Sequence, residues 1–391
     1  MIQGPYDPRV TVARAELPKG RRVLILSDIH GHHQALQKLL RRLSFSAEDT
    51  LVVAGDLLEK GKESLPVIRT LMTLSGQGRV FVLPGNMDVY TLSKLLSDDP
   101  KERRELFEIA PRMVEWWGGC LLMEMCAELG LPFSPDMDDA EAQRAILSHF
   151  EKELDFLTRL PVILDTPRMT FVHGGLPHLR LDELTGRDSF SLLKCDNFLS
   201  RGLSFPKYVT VGHWPVVLYR DRYMDMSPML IRDRKILCLD GGCGVKKSGQ
   251  LNCVLWEDPA SDCFSFTWED ELPRATALTA QAPSEDFTYI KFHDRKVQDI
   301  QPDGPDFVRV RWHGRSVRVP QLAVDTQTPG QLNTDYTDYR LPVQRGDHLS
   351  VIRSFGQDHY VRRDGVLGWY SGALGEADPT YAPPLKPVPC E

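Results

Sequence analysis

Five short polar turns, each set directly after a run of apolar and β-branched residues, constrain this chain more than any other feature. They are Asp28-Ile29-His30-Gly31, Gly55-Asp56, Gly85-Asn86-Met87-Asp88, His173-Gly174-Gly175 and Gly212-His213. The runs before them read as buried strands: Val23 to Leu26, Leu51 to Ala54, Val80 to Leu83, Thr170 to Val172 and Tyr208 to Val211. Helical patterns lie between the first three runs. Leu36, Leu39, Leu40 and Leu43 recur at helical spacing, and Ser64 to Leu74 reads the same way. This β-α-β-α rhythm implies an α/β (α+β) fold, a sheet with helices on its faces and functional groups at the carboxyl ends of its strands.

Each turn alone is commonplace, because Gly-Asp and Gly-His pairs end strands in many folds. Five in order, all at strand ends, point to a single pocket. An Asp-x-His pair, a second Asp, an Asn carbonyl and two later histidines supply hard oxygen and imidazole donors. Two close divalent cations need such a set, preferably with one carboxylate bridging them. The neighbouring glycines let the backbone turn sharply enough to aim each donor inward.

At 391 residues the chain is long enough for two domains, and 42% hydrophobic with 26% charged residues is the composition of a soluble globular protein. A net charge of −7 provides no global field for binding nucleic-acid duplexes or acidic lipid, though a phosphorylated substrate needs only local positive charge. Met1 to Gly20 lacks the apolar core of an export signal, and no window approaches the roughly 18 apolar residues of a membrane span. The eight cysteines are scattered and read as reduced thiols, so a cytoplasmic location is expected.

Ser93 to Leu160 reads as mostly helical and is expected to form a helical cap, about 93–160, beside the site. Ile236 to Leu239, Leu251 to Leu255 and Cys263 to Trp268 complete a first domain, 1–271. Residues 272–285, rich in Ala, Thr and Pro, are the expected linker. Residues 286–378 carry short alternating strands, among them Val308, Val310 and Trp312 turning at His313-Gly314 into Val317 and Val319. A Pro-rich tail, 379–391, is expected to be extended or disordered.

The turns resemble the phosphoprotein-phosphatase branch of the calcineurin-like metallophosphoesterases. Asp28-Ile29-His30-Gly31, Gly55-Asp56-Leu57-Leu58-Glu59-Lys60-Gly61, Gly85-Asn86-Met87-Asp88 and His173-Gly174-Gly175 are similar to its GDxHG, GDxVDRG, GNHE/D and HGG blocks. Arg201-Gly202-Leu203-Ser204-Phe205 resembles its arginine segment, and Ile236 to Gly244 its closing strand and glycines in bacterial members. The resemblance spans roughly Arg21 to Trp268. It implies a β-sandwich flanked by helices, with Asp28, His30 and Asp56 at one metal and Asp56, Asn86, His173 and His213 at the other. Asp56 would bridge two divalent ions, manganese first, with iron or zinc as alternatives. It also implies that a water activated by both cations attacks phosphorus, while Arg201, Lys60 and Asn86 hold the phosphoryl group. The substrate would be a phosphoprotein or a nucleotide, since bacterial relatives of this type include both.

Two positions depart from the family pattern. Lys60 stands where a second phosphate-binding arginine is usual, keeping charge but losing bidentate geometry. Met87 stands where the phosphatases have the histidine thought to protonate the leaving group, although Asp88, which would orient that histidine, is present. Methionine cannot transfer a proton. Three readings stay open: His32, His33 or His178 donates instead; the substrate needs no acid, as a phosphoanhydride or aryl phosphate would not; or the protein is an impaired, metal-binding pseudophosphatase that acts through its C-terminal domain.

That domain resembles SH3-like barrels at Gly346-Asp347-His348-Leu349-Ser350-Val351-Ile352 and Gly368-Trp369-Tyr370. Trp369 and Tyr370 either present an aromatic surface to a peptide or protein partner or fill the domain's core, and the second is preferred. Arg309, Arg311, Arg315 and Arg318 read as a solvated face.

Overall fold

Along the first part of the chain run β1 (Val12–Arg14), β2 (Val23–Leu26), α1 (His33–Arg42), β3 (Thr50–Ala54), α2 (Ser64–Gln77), β4 (Arg79–Leu83), α3 (Asn86–Leu95), α4 (Pro100–Trp117), α5 (Leu121–Glu128), α6 (Asp139–His149), α7 (Glu151–Thr158), β5 (Ile163–Asp165), β6 (Met169–Val172), β7 (Tyr208–Val211), β8 (Met229–Ile231), β9 (Ile236–Cys238), β10 (Leu251–Trp256) and β11 (Phe264–Glu269). The structure is a computed structural model that describes residues 6, 8–134 and 136–390, so part of the Met1 to Gly20 reading lies outside the described residues. It divides into two units. The first holds the residues up to Pro215, with Pro228–Asp270 and a return from Pro384; the second holds Val216–Ser227 and Glu271–Pro383.

In the first unit two six-stranded sheets face each other. One runs β11-β10-β2-β3-β4, edged by the short strand Lys386–Pro387, and the other runs β1-β5-β6-β7-β9-β8. Strand β2 shows why its sequence is an unbroken apolar run. Side chains alternate across a strand, so Val23 and Ile25 enter the core between the sheets while Leu24 and Leu26 enter a second core under the helices. Both faces are buried, which removes the polar half of the usual alternation.

The helical stretch differs from the expected cap. Leu106, Met113, Leu121, Ile146 and Leu154 join Leu24, Leu26, Leu51 and Val53 in one continuous core. The insert is therefore a layer covering the outer face of the sheet. The expected linker is corrected too: Arg274–Ala277 forms a strand, β12, paired with His348–Phe355 and Leu374–Gly375. Ala275 and Ala277 are buried there, and small alternating side chains suit a strand as well as a loop. Of the two states expected for the tail, extended and disordered, the part from Lys386 to Val388 is extended, because Lys386–Pro387 pairs with β11 and Val388 is buried. Its prolines suit an edge strand, where an amide donor is dispensable.

The second unit is all-β. Its five-stranded sheet contains Val366–Ser371, Asp358–Arg363, His348–Phe355, β12 and Leu374–Gly375, beside a three-stranded ladder that includes the hairpin Phe307–Trp312 and Arg315–Pro320. Trp369 and Tyr370 are buried, in line with the preferred reading that they fill the core and against the alternative of a partner-binding surface. Their polar atoms are used internally. Trp369 Nε1 donates to Thr337 O at 3.1 Å and Tyr370 Oη to Thr279 O at 3.0 Å. The hairpin arginines form surface ion pairs: Arg309 with Asp303, Arg311 with Asp299, and Arg315 with Asp286. Among the described residues no helix is long and apolar enough to cross a membrane.

Candidate metal centre

Every candidate donor leaves the carboxyl end of a strand. Asp28 and His30 follow β2, Asp56 follows β3, and Asn86 follows β4, all parallel neighbours in one sheet. His173 follows β6 and His213 follows β7, parallel neighbours in the other. The site lies where the two sheets present those ends together.

Two groups of donor atoms result, each within 4.8 Å: Asp28, His30 and Asp56, and Asp56, His173 and His213. Asp56 belongs to both. His30 Nε2 lies 3.4 Å from Asp56 Oδ2, and His173 Nε2 lies 3.4 Å from Asp56 Oδ1. Asn86 Oδ1 lies 3.2 Å from His173 Nε2. The far nitrogens are tied to backbone, His30 Nδ1 to Leu58 O at 3.0 Å and His173 Nδ1 to Ala54 O at 2.9 Å. A proton held there leaves each Nε2 lone pair facing Asp56, the tautomer that a metal-binding histidine requires. His213 meets Asp196 Oδ1 through Nε2 at 2.7 Å, which leaves Nδ1 for a cation.

The backbone is strained where these donors sit. Asp28, His30, Asp56, Glu59, Lys60 and His213 all adopt left-handed φ between 48° and 68°. Such conformations cost on the order of 1–3 kcal/mol each and concentrate at functional sites. Glycine is obligatory where turns press together. A Cβ at Gly85 would overlap Asp56, and one at Gly212 would overlap Asp28.

Electrostatics test whether this donor set fits cations. Burial pushes the Asp28 carboxyl up to about 6, aided by Asp56, against the opposing pull of His173. Burial also raises Asp240 well above the carboxylate range, with Asp28 adding to the effect. Asp240 Oδ2 is fully buried and has no hydrogen-bond partner. Burial opposes the charge on Asp56 as well, but His173, His30 and Lys60 outweigh it and hold its pKa below the usual range. His173 is driven the opposite way: Asp56 and Asp28 overcome burial and push it up to about 10. Asp56 is thus well compensated, while Asp28 and Asp240 are buried with too little positive charge beside them. Hard oxygens and imidazoles around such an excess fit divalent cations.

The remaining candidates separate. Asp88 accepts from Leu57 N at 2.9 Å, Leu58 N at 3.0 Å and Gly85 N at 2.7 Å, so it ties two turns together from within. Met87 gives its amide to Asp56 Oδ1 at 2.9 Å while its side chain packs on the helical core. Lys60 Nζ lies 2.8 Å from His30 Nε2, inside the site. Arg201 is exposed at the end of a 3₁₀ turn, Phe198–Arg201, just beyond Asp196. His32 is half-buried before α1 and outside both donor groups, His33 bonds Thr70 Oγ1 at 2.8 Å, and His178 lies 3.8 Å from Glu183.

Asp240, Asp196 and Glu59 were not singled out by the sequence reading. Asp240 had a signal, being one more aspartate just after a strand. Asp196, far from any such run, had none. Glu59 is buried and ties the turn to the helical layer, accepting from Thr91 Oγ1 at 2.7 Å and Leu121 N at 3.2 Å.

A site of this make-up on two facing sheets defines a class, and the family pattern for calcineurin-like phosphoesterases matches residues 21–256. The chain belongs to that family and is a metal-dependent phosphoesterase, a hydrolase. Its relatives include the symmetrical bis(5'-nucleosyl)-tetraphosphatases of Proteus mirabilis (strain HI4320), 26% identical over 60% of this chain and 94% of that one, and of Hamiltonella defensa, 28% identical over 60% and 93%. A protein serine/threonine phosphatase from Saccharomyces cerevisiae is similar over 64% of this chain and 76% of its own, at 13% identity and a TM-score of 0.38.

Proposed function

We propose that this chain hydrolyses a phosphoanhydride bond of a nucleotide, as the names of its tetraphosphatase relatives state for them, and that it works in the cytoplasm with manganese. Asp28, His30 and Asp56 would hold one ion; Asp56, Asn86, His173 and His213 would hold the second. Bound there, two divalent cations polarise a phosphoryl oxygen and lower the pKa of a water.

The chain's own residues do the rest. Ala54 and Leu58 carbonyls fix the tautomers of His173 and His30, so both imidazoles arrive with the correct lone pair forward. Asp88 positions the Asn86 turn against the Asp56 turn through three amides. The Lys60 ammonium competes with a cation for His30 Nε2. With His30 Nε2 given to a cation, the Lys60 ammonium would be available to the phosphoryl oxygens. Arg201, solvent-exposed and planar, suits the outer oxygens of the same group.

Met87 is the observation that carries the anhydride reading. With its side chain half-buried against the helical core, and with His33 and His178 engaged elsewhere, the leaving group is best one that departs as a stable anion. A phosphate leaving an anhydride does so, whereas a serine alkoxide does not. General acid catalysis is typically worth about 10²–10⁴ in rate. With manganese, kcat/KM for diadenosine tetraphosphate is therefore expected to exceed that for a phosphoserine peptide by about that factor, with p-nitrophenyl phosphate also turned over. Equal rates on phosphoserine would reject the reading and point to a substitute acid.

A further inference from the structure

Trp116 and Trp117 are 56% and 40% exposed, in a unit whose other tryptophans, Trp214, Trp256 and Trp268, are buried or half-buried. They end α4, where Gly118 adopts φ 110° and stops the helix. The next residues lock that end onto the metal-site turn. Gly119 presses so closely on Gly61 that a Cβ there would overlap its carbonyl, and Leu121 N donates to Glu59 Oε2 at 3.2 Å. The two indoles pack edge to face at 5.8 Å, 71° apart. They are exposed at a helix end that is itself fastened to that turn.

Lys60 connects this ledge to the chemistry. Its Nζ lies 2.8 Å from His30 Nε2 and 5.9 Å from the centre of the Trp117 ring. One ammonium thus has a candidate metal ligand on one side and an open aromatic face on the other. A substrate whose phosphates occupy the metal side has its next group delivered to the indole. Every nucleobase offers a π-face, and a base stacked on an aromatic ring contributes about 1–3 kcal/mol without depending on base identity. A rigid ring loses little entropy in making that contact.

We infer that Trp117 is a stacking platform for the base of a nucleoside polyphosphate whose phosphate chain lies across Lys60, with Trp116 bracing it edge-on. This rests on the phosphoanhydride reading above and deepens it by naming which part of the substrate is recognised outside the metal centre. It further means that recognition is of a planar ring, tolerant of adenine or guanine.

The test uses the full chain with manganese. Tryptophan fluorescence is titrated with ADP and, as a base-free probe, with inorganic pyrophosphate. ADP is expected to quench and pyrophosphate not to; W117F should lose the ADP-dependent quench while W116F keeps it. In turnover, W117A should lower kcat/KM for ATP relative to tripolyphosphate about tenfold, the size of one base–aromatic stack, and W117F should restore most of that ratio. Equal quenching by both probes, persistence of the quench in W117F, or an unchanged ratio in W117A would each overturn the inference. If the wild type cleaves neither anhydride but does cleave p-nitrophenyl phosphate, the proposed substrate class fails, and the quench still decides on Trp117.

Discussion

The two units treat polar side chains in opposite ways. In the second, Arg309, Arg311 and Arg315 pair with aspartates on the surface, the polar atoms of Trp369 and Tyr370 bond within the protein, and the charges that are buried are of both signs, Arg220 and Arg362 with Asp335. In the first, Asp28, Asp56 and Asp240 are buried together, and Asp28 and Asp240 are held above the usual carboxylate range by burial and by each other's neighbourhood of negative charge. One unit buries positive charge with negative. The other buries carboxylates raised by desolvation, a costly arrangement that a divalent cation would relieve.

The largest test of this contrast removes the carboxylate shared by both donor groups. D56N is expected to lower kcat/KM by about 10³-fold or more and to abolish manganese binding in calorimetry. Retained tight binding would mean the donor sets are wrongly assigned. Next, W369A in the second unit should cost about 3–5 kcal/mol of its stability, the usual effect of hollowing an aromatic core. Denaturant unfolding would report the loss, and manganese affinity should stay where it was. A drop in metal affinity would break the separation between the units.

A smaller effect sharpens the comparison from within the first unit. Burial pushes the Glu59 carboxyl up to about 7, with its bonds to Thr91 and Leu121 opposing the rise. A carboxyl raised on folding binds its proton more tightly in the native state. Its contribution is fully present below the unfolded value of 4.5 and is lost as pH rises through about 7. E59Q should lack that loss, so its stability relative to wild type should improve between pH 4 and 8 by on the order of 3 kcal/mol. A difference constant with pH would show Glu59 ionised in both states.

The sequence made the strands of the first unit legible because both faces are buried, which turns them into uninterrupted apolar runs. Its candidate donors were legible because each stands in a turn directly after such a run. Strand β1 escaped notice, since Val12–Arg14 is short and carries a charge. β12 was hidden by alanines and threonines that suit loop and strand equally. The placement of Asp196 beside His213 depends on contacts 17 residues apart, which no local pattern encodes. The left-handed backbone at Asp28, His30, Asp56 and His213 was equally invisible, because none of these is a glycine.

Asp88 has a consequence for how such an enzyme changes over time. It secures the floor of the site through backbone amides alone and asks nothing of the residue before it. Position 87 can then exchange a proton-donating side chain for an inert one in a single substitution, with the Asn86 turn still fastened in place.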